Sequence, residues 1–191
     1  GRARQFLARL FPVLFEKATE SLDNRCNLYY NKTRREFLRP ISWKGNHPVM
    51  ISYVSHSPAE TEWFAAELAS RLKSGDVLAF RGGLGAGKTT FVRGLARGLG
   101  SDAEVSSPTF ALVHEYASSP PLYHFDMYRI HTFDDLYSTG FFDYLDAGGI
   151  LAVEWSENVL DALPPETIAV TIDPIGEESR RITVEGGGQN F

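Results

Sequence analysis

From Met50 onward the chain alternates between short apolar runs and stretches with one apolar face. Ile51-Ser52-Tyr53-Val54 alternates as a strand does, and Ser57-Pro58-Ala59-Glu60 then opens a helix. Ser caps it, Pro fits its first turn, and Glu three residues after the cap closes a capping box. That helix is expected to run to about Leu72. Gly75-Asp76 breaks the chain before Val77-Leu78-Ala79-Phe80, an apolar run of buried-strand length, and a glycine-rich segment follows at once. Residues 90–99 return to helical spacing, with Phe91, Leu95 and Leu99 on one face and Gly100 placed to end the helix. Strand-like runs recur at 109–116, 122–125, 150–153, 168–172 and 182–184, with one helical pattern around 134–145.

Strand, glycine-rich loop, helix, then further strands predicts an α/β fold: a three-layer P-loop NTPase domain with a mostly parallel central sheet. The last two strands, joined by a turn at Gly176, are expected to form an antiparallel C-terminal pair. No internal repeat is visible.

Charge divides the chain unevenly. Residues 1–49 hold ten Lys/Arg against four Asp/Glu, and the remainder nine against twenty, so a basic appendage near +6 precedes a body near −11. Apart from one short amphipathic patch at Phe6, Leu7, Leu10, Phe11 and Leu14, the appendage shows no clear period. It reads as a disordered or non-native segment, with a transit peptide as the alternative, which Glu16, Glu20 and Asp23 oppose. Met50 is the first methionine and the expected natural start, so the folded domain is taken as 50–191. An acidic body repels a polyanion unless a partner supplies positive surface, which argues against direct nucleic-acid binding by this chain alone. The lone Cys26 gives no disulfide framework, and the histidines show no metal-ligand spacing. No apolar run approaches the roughly 20 residues that span a bilayer. A soluble, cytoplasmic protein with no membrane contact is expected.

The chemistry lies in Gly82-Gly83-Leu84-Gly85-Ala86-Gly87-Lys88-Thr89. Successive backbone amides of such a turn, leading into a helix, form a nest for phosphate oxygens, and the helix dipole adds positive potential. Lys88 is placed to reach β and γ phosphates, the Thr89 hydroxyl to ligate Mg²⁺, and Thr90 to add an α-phosphate contact. Two apolar runs end in acids, Asp126 and Glu154. A carboxylate at the C-terminal end of a strand beside the loop can hold Mg²⁺ or orient the attacking water, or it can simply be a surface or capping group. Ser107-Pro108-Thr109 precedes a strand, where Thr109 either approaches a γ-phosphate from a mobile segment or merely starts the strand.

Taken together, residues 82–90, Ser107-Pro108-Thr109-Phe110, His124-Phe125-Asp126-Met127-Tyr128-Arg129 and Glu154-Trp155 resemble the TsaE family of tRNA threonylcarbamoyladenosine biosynthesis, over about residues 51–185. The resemblance implies a P-loop ATPase with ATP as substrate and Mg²⁺ as cofactor. It implies work alongside TsaB and TsaD, which transfer a threonylcarbamoyl group to the adenosine beside the anticodon, with tRNA engaged through the complex. It further implies Thr89 and Glu154 as Mg²⁺ ligands, Asp126 as the carboxylate needed for hydrolysis, Thr61 near the nucleotide base and Trp155 beside the site. The family usually has Asp or Glu where Gly83 stands, so hydrolysis or partner docking is open to change.

Two other classes fit a phosphate loop: a small-molecule kinase and a regulatory protein that senses ATP without turning it over. A kinase calls for an Arg-rich lid, yet only Arg129, Arg180 and Arg181 follow the loop helix. No Asn-Lys-x-Asp motif occurs to read guanine, which favours adenine.

Overall fold

The computed structural model describes residues 50–186. The basic appendage expected at 1–49 lies outside the described residues, as do the last five. Seven strands form one sheet: β1 (Met50–Ser55), β2 (Val77–Arg81), β3 (Val113–Tyr116), β4 (Leu122–Asp126), β5 (Ile150–Glu154), β6 (Ile168–Pro174) and β7 (Arg180–Gly186). Their order is β1-β7-β6-β2-β5-β4-β3. The central four, β6, β2, β5 and β4, run parallel; β7 pairs antiparallel with both β6 and β1, and β3 with β4.

Period-two alternation decides what covers each face. One face carries Tyr53, Phe80 and the even-numbered positions of β4 and β5, and against it lie α1 (Pro58–Ala69) and α2 (Lys88–Gly98). Tyr53 stacks on Phe64 of α1 at 4.6 Å, and Phe91 of α2 meets Phe80 edge-on at 5.4 Å. The other face buries Val77, Phe125, Leu151 and Val153 under two short helices, α3 (Phe133–Ser138) and α4 (Phe141–Asp146). Phe141 packs edge-on against Phe125 at 5.4 Å. The expected three layers and antiparallel C-terminal pair are present; on β6 and β7 this second face carries Thr171 and Thr183, half-buried, as antiparallel sheets allow.

Helices α1 and α2 approach so closely that two glycines are obligatory. A Cβ at Gly94 would stand 2.2 Å from the Glu62 carbonyl oxygen, and one at Gly98 would stand 2.6 Å from that of Ala66. Alanine raises helix propensity by about 1 kcal/mol, but overpacking against backbone costs about 1–3 kcal/mol, and so short a contact places the cost at the upper end. Gly94→Ala is therefore expected to lower the denaturant midpoint of unfolding; an unchanged or raised midpoint would show that the helices can part freely.

Several boundaries differ from expectation. The first helix ends at Ala69, its cap Ser57 accepting from the Glu60 amide as foreseen, while the Glu60 carboxylate accepts from the amide of His56 and not of Ser57. Residues 109–112 are a turn: the amides of Ala111 and Leu112 both donate to the Pro108 carbonyl, and Leu112 is left-handed at φ 68°. Apolar Phe110, Ala111 and Leu112 mimic a strand in pattern, but Phe110 is 88% exposed. The helix expected over 134–145 is two, because Gly140 takes a left-handed φ of 73° and starts a second cap there.

Among the described residues, no helix is long and apolar enough to cross a membrane.

Candidate functional site

The glycine-rich loop leaves β2 at the C-terminal edge of the parallel strands, where such sheets place their ligands. Left-handed backbone at Gly82 (φ 143°), Gly85 (φ 71°) and Gly87 (φ 110°) shapes the turn. Gly82 also admits no side chain, since a Cβ there would stand 2.6 Å from the Ile172 carbonyl oxygen of β6. Gly83 is different: a Cβ would meet nothing within 4 Å, so an acidic side chain would fit and its absence is not a steric requirement. Leu84 at the tip is 94% exposed, whereas Ala86 is buried.

No side chain caps α2, and the amides of Gly87, Lys88, Thr89 and Thr90 meet no acceptor among the described residues. Four orphan donors at a helix start make a ready anion site. Lys88 Nζ donates to the carbonyls of Gly82 at 2.7 Å and Gly83 at 3.0 Å, and lies 4.0 Å from the centroid of the Trp155 ring. Burial lowers the Lys88 pKa, with the charges of Glu154, Glu157 and Asp126 opposing the shift. An ammonium held over carbonyl oxygens is poised to exchange them for phosphate oxygens, which bind it more strongly.

Strand register aligns the acids. Phe80 pairs with Glu154 and Glu154 with Asp126, so both carboxylates end adjacent strands beside the loop on the face that α2 covers. Glu154 Oε1 accepts from the Thr89 hydroxyl at 2.7 Å and from His124 Nε2 at 2.9 Å. Two hard oxygen donors so close suit Mg²⁺, which takes few protein ligands and the rest from phosphate and water. Among the described residues no cluster of three His, Cys, Asp or Glu could hold a metal without such help. Asp126 lies apart from this pair: Oδ2 accepts from Thr109 at 2.8 Å and Ser107 at 3.3 Å, and Oδ1 from the Tyr128 amide at 3.0 Å. The Ser-Pro-Thr segment thus reaches the acid it precedes by seventeen residues.

Among the described residues, Trp155 is one of two non-glycine residues with left-handed backbone, at φ 56°. Such a conformation costs on the order of 1–3 kcal/mol and persists where neighbours enforce it. Here they are Lys88 over the ring, Tyr128 at 4.9 Å, and Ser156, whose hydroxyl donates to the Phe80 carbonyl at 3.1 Å. Thr90 is half-buried in the first turn of α2. Thr61 is buried, with its hydroxyl 2.7 Å from that of Ser55, and makes no hydrogen bond to the loop among the described residues.

Three residues of the site had no role assigned from the sequence, although His124 stands in the motif at 124–129. His124, fully buried, shares the Glu154 carboxylate with Thr89; as a carboxylate only accepts, Nε2 carries the proton, and among the described residues Nδ1 has no partner. Its position two before Asp126 on the same strand face was the available signal. Ser156 and Arg180 give no local signal, and Arg180 reaches the loop from the far end of the chain, its Nε 2.9 Å from the Ala86 carbonyl oxygen.

The family model for "Threonylcarbamoyl adenosine biosynthesis protein TsaE" matches residues 55–182. A tRNA threonylcarbamoyladenosine biosynthesis protein TsaE of Bacillus subtilis is 40% identical over 136 residues, covering 71% of this chain and 85% of its own length. The protein of that name from Treponema pallidum is 37% identical over 131 residues, covering 69% of this chain and 97% of its own. In three dimensions the crystal structure of YdiB from Bacillus subtilis matches with a TM-score of 0.63 at 34% identity, covering 75% of this chain and 90% of that one. The matched span holds the loop, both strand-end acids and Trp155, and on that agreement the chain belongs to the TsaE family of threonylcarbamoyl adenosine biosynthesis proteins.

Proposed function

We propose that the chain binds ATP with Mg²⁺ at residues 82–90 and hydrolyses it in support of threonylcarbamoyl modification of tRNA, working with TsaB and TsaD in the cytoplasm. The observation that carries this reading is the convergence of Lys88, Thr89, Glu154 and Asp126 at the C-terminal ends of three adjacent parallel strands, beside four unbonded amides. The amides from Gly87 to Thr90 hold phosphate oxygens, and Lys88 leaves the Gly82 and Gly83 carbonyls for the β and γ phosphates. Thr89 and Glu154 would hold Mg²⁺, which would supply charge neutralisation for the phosphates, and His124 orients the Glu154 carboxylate. Asp126 orients the attacking water and takes its proton as the bond between the γ-phosphorus and its bridging oxygen breaks, giving ADP and phosphate. Ser107 and Thr109 occupy the Asp126 carboxylate, so the Ser-Pro-Thr segment has to yield before that oxygen can serve water. Trp155 packs beside the phosphates, and Thr61 belongs to the wall that faces the base.

The acidic body leaves tRNA contact to the partners. A kinase reading fares worse than from sequence alone. Of the three arginines after α2, Arg129 lies over Phe110 at 5.0 Å and the Arg180 guanidinium is filled by backbone carbonyls, which leaves Arg181 alone for a second phosphorylated substrate.

Calorimetric titration with ATP, in Mg²⁺ and in EDTA, tests the site. Glu154→Gln keeps the shape and removes the charge, so the affinity gained on adding Mg²⁺ is expected to fall roughly tenfold or more, as for loss of one charge-assisted contact. Metal-free binding should be unchanged. Equal affinities for ATP in Mg²⁺ and EDTA by the unaltered chain would remove Mg²⁺ from the account.

A further inference from the structure

Arg180, the first residue of β7, is half-buried and donates to five carbonyl oxygens from two segments. Nε reaches Ala86 at 2.9 Å and Nη2 reaches Gly85 at 3.5 Å, both in the phosphate loop. Nη1 donates to Ser179 at 3.0 Å and to Gly176 and Glu177 at 3.2 Å each, in the turn between β6 and β7. Among the described residues it pairs with no carboxylate. A guanidinium partly withdrawn from water and given wholly to backbone oxygens has a geometric task, since its fork fixes the direction of every peptide it grips.

That direction matters because a trans peptide is planar and its C=O and N–H point opposite ways. With the Ala86 oxygen drawn to Arg180, the amide of Gly87 in the same peptide is turned to the other side of the loop. Gly87 itself is left-handed, and its amide heads the run of unbonded donors at 87–90. An oxygen released from Arg180 could rotate into the nest, where it would repel phosphate and hide a donor. The hairpin is already seated against the loop through the Ile172 carbonyl, which leaves Gly82 no room for a side chain.

We propose that Arg180 is a positioning residue for phosphate binding: it holds the Ala86 carbonyl outward, so that the Gly87 amide of the same peptide faces the anion, and couples the β6–β7 hairpin to the loop. The proposal rests on the loop binding phosphates, as argued above. It predicts a division of labour in which the parallel half of the sheet supplies the reacting groups and the antiparallel hairpin keeps the loop in its receptive form.

The test compares the full chain with Arg180→Met, which keeps the aliphatic stem and removes the donors, and Arg180→Lys, which keeps the charge without the fork. ADP titrations in EDTA avoid any dependence on metal, and amide hydrogen exchange at residues 86–90 reads the loop directly. Arg180→Met is expected to lose roughly tenfold in ADP affinity, the effect of about one charge-assisted hydrogen bond, and to exchange faster at those amides. Arg180→Lys should recover only part of the loss. Unchanged ADP affinity in the Met variant, or full recovery in the Lys variant, which would reduce the role to charge alone, overturns the proposal. A lower melting temperature with unaltered ADP affinity overturns it equally, by making Arg180 a tie for the hairpin only. Failure of the unaltered chain to bind ADP would instead strike at the reading of the loop.

Discussion

Asp126→Asn is expected to lower ATP turnover by about 10²–10⁴-fold, the usual worth of a positioned proton acceptor, while ATP affinity changes little. The carboxylate ends β4, buried, one strand away from Glu154, and its contacts are all to groups that donate: Thr109, Ser107 and the Tyr128 amide. None of these is a phosphate-binding group, so affinity does not run through Asp126. Asparagine keeps the shape, its oxygen accepting from the Tyr128 amide and its NH2 donating to the Ser107 and Thr109 hydroxyl oxygens, which separates lost chemistry from lost folding. Alanine would mix the two, because it takes their common acceptor from the Tyr128 amide and from the Ser107 and Thr109 hydroxyls. Single-turnover measurements with bound ATP decide the matter; normal turnover by the Asn variant would remove Asp126 from the reaction.

Lys88→Ala is expected to act on the other quantity, weakening ATP and ADP on the order of a hundredfold. A charge-assisted contact is worth about 1.5–3 kcal/mol, and this side chain is buried, which strengthens its attraction for phosphate. Burial has already lowered its pKa, a cost that contact with an anion offsets. The substitution frees two loop carbonyls, of which Gly83 can turn to water, so stability should suffer less than affinity. Affinity for AMP, which lacks β and γ phosphates, should scarcely change. A Lys88→Ala variant that bound ATP as the unaltered chain does would show that the loop is not a nucleotide site.

What could be read from the residues before any coordinates divides along a physical line. The loop, its flanking strand and helix, Asp126 and Glu154 were legible because each is a local arrangement: backbone conformation, a cap, an acid ending an apolar run. The same locality explains the errors. Residues 109–112 carry a strand's apolar pattern, yet the turn closed on the Pro108 carbonyl and the Thr109 contact to Asp126 prevail over it. At 134–145 the helical period continues through Gly140, but the left-handed glycine resets the backbone and makes two short helices. His124, Ser156 and Arg180 are brought in by strand pairing across long separations, up to ninety-five residues from Arg180 to Gly85, and no window along the chain contains both partners. Gly94 and Gly98 are shown to be required only by the approach of α1.

Two large apolar side chains are exposed, Leu84 at the tip of the loop and Phe110 next to Thr109, whose hydroxyl donates to Asp126. Their exposure agrees with a site that is completed by partners, and with an Asp126 held by two hydroxyls until that segment moves.

The most direct measurement combines the chain with purified TsaB, TsaD and the threonylcarbamoyl donor on unmodified tRNA, in Mg²⁺, and follows released phosphate and modified adenosine together. The account requires phosphate release that rises when TsaB and TsaD are added, and repeated rounds of modification that cease when this chain is omitted or carries Asp126→Asn. Phosphate release indifferent to the two partners, with modification proceeding equally in the absence of this chain, would contradict it.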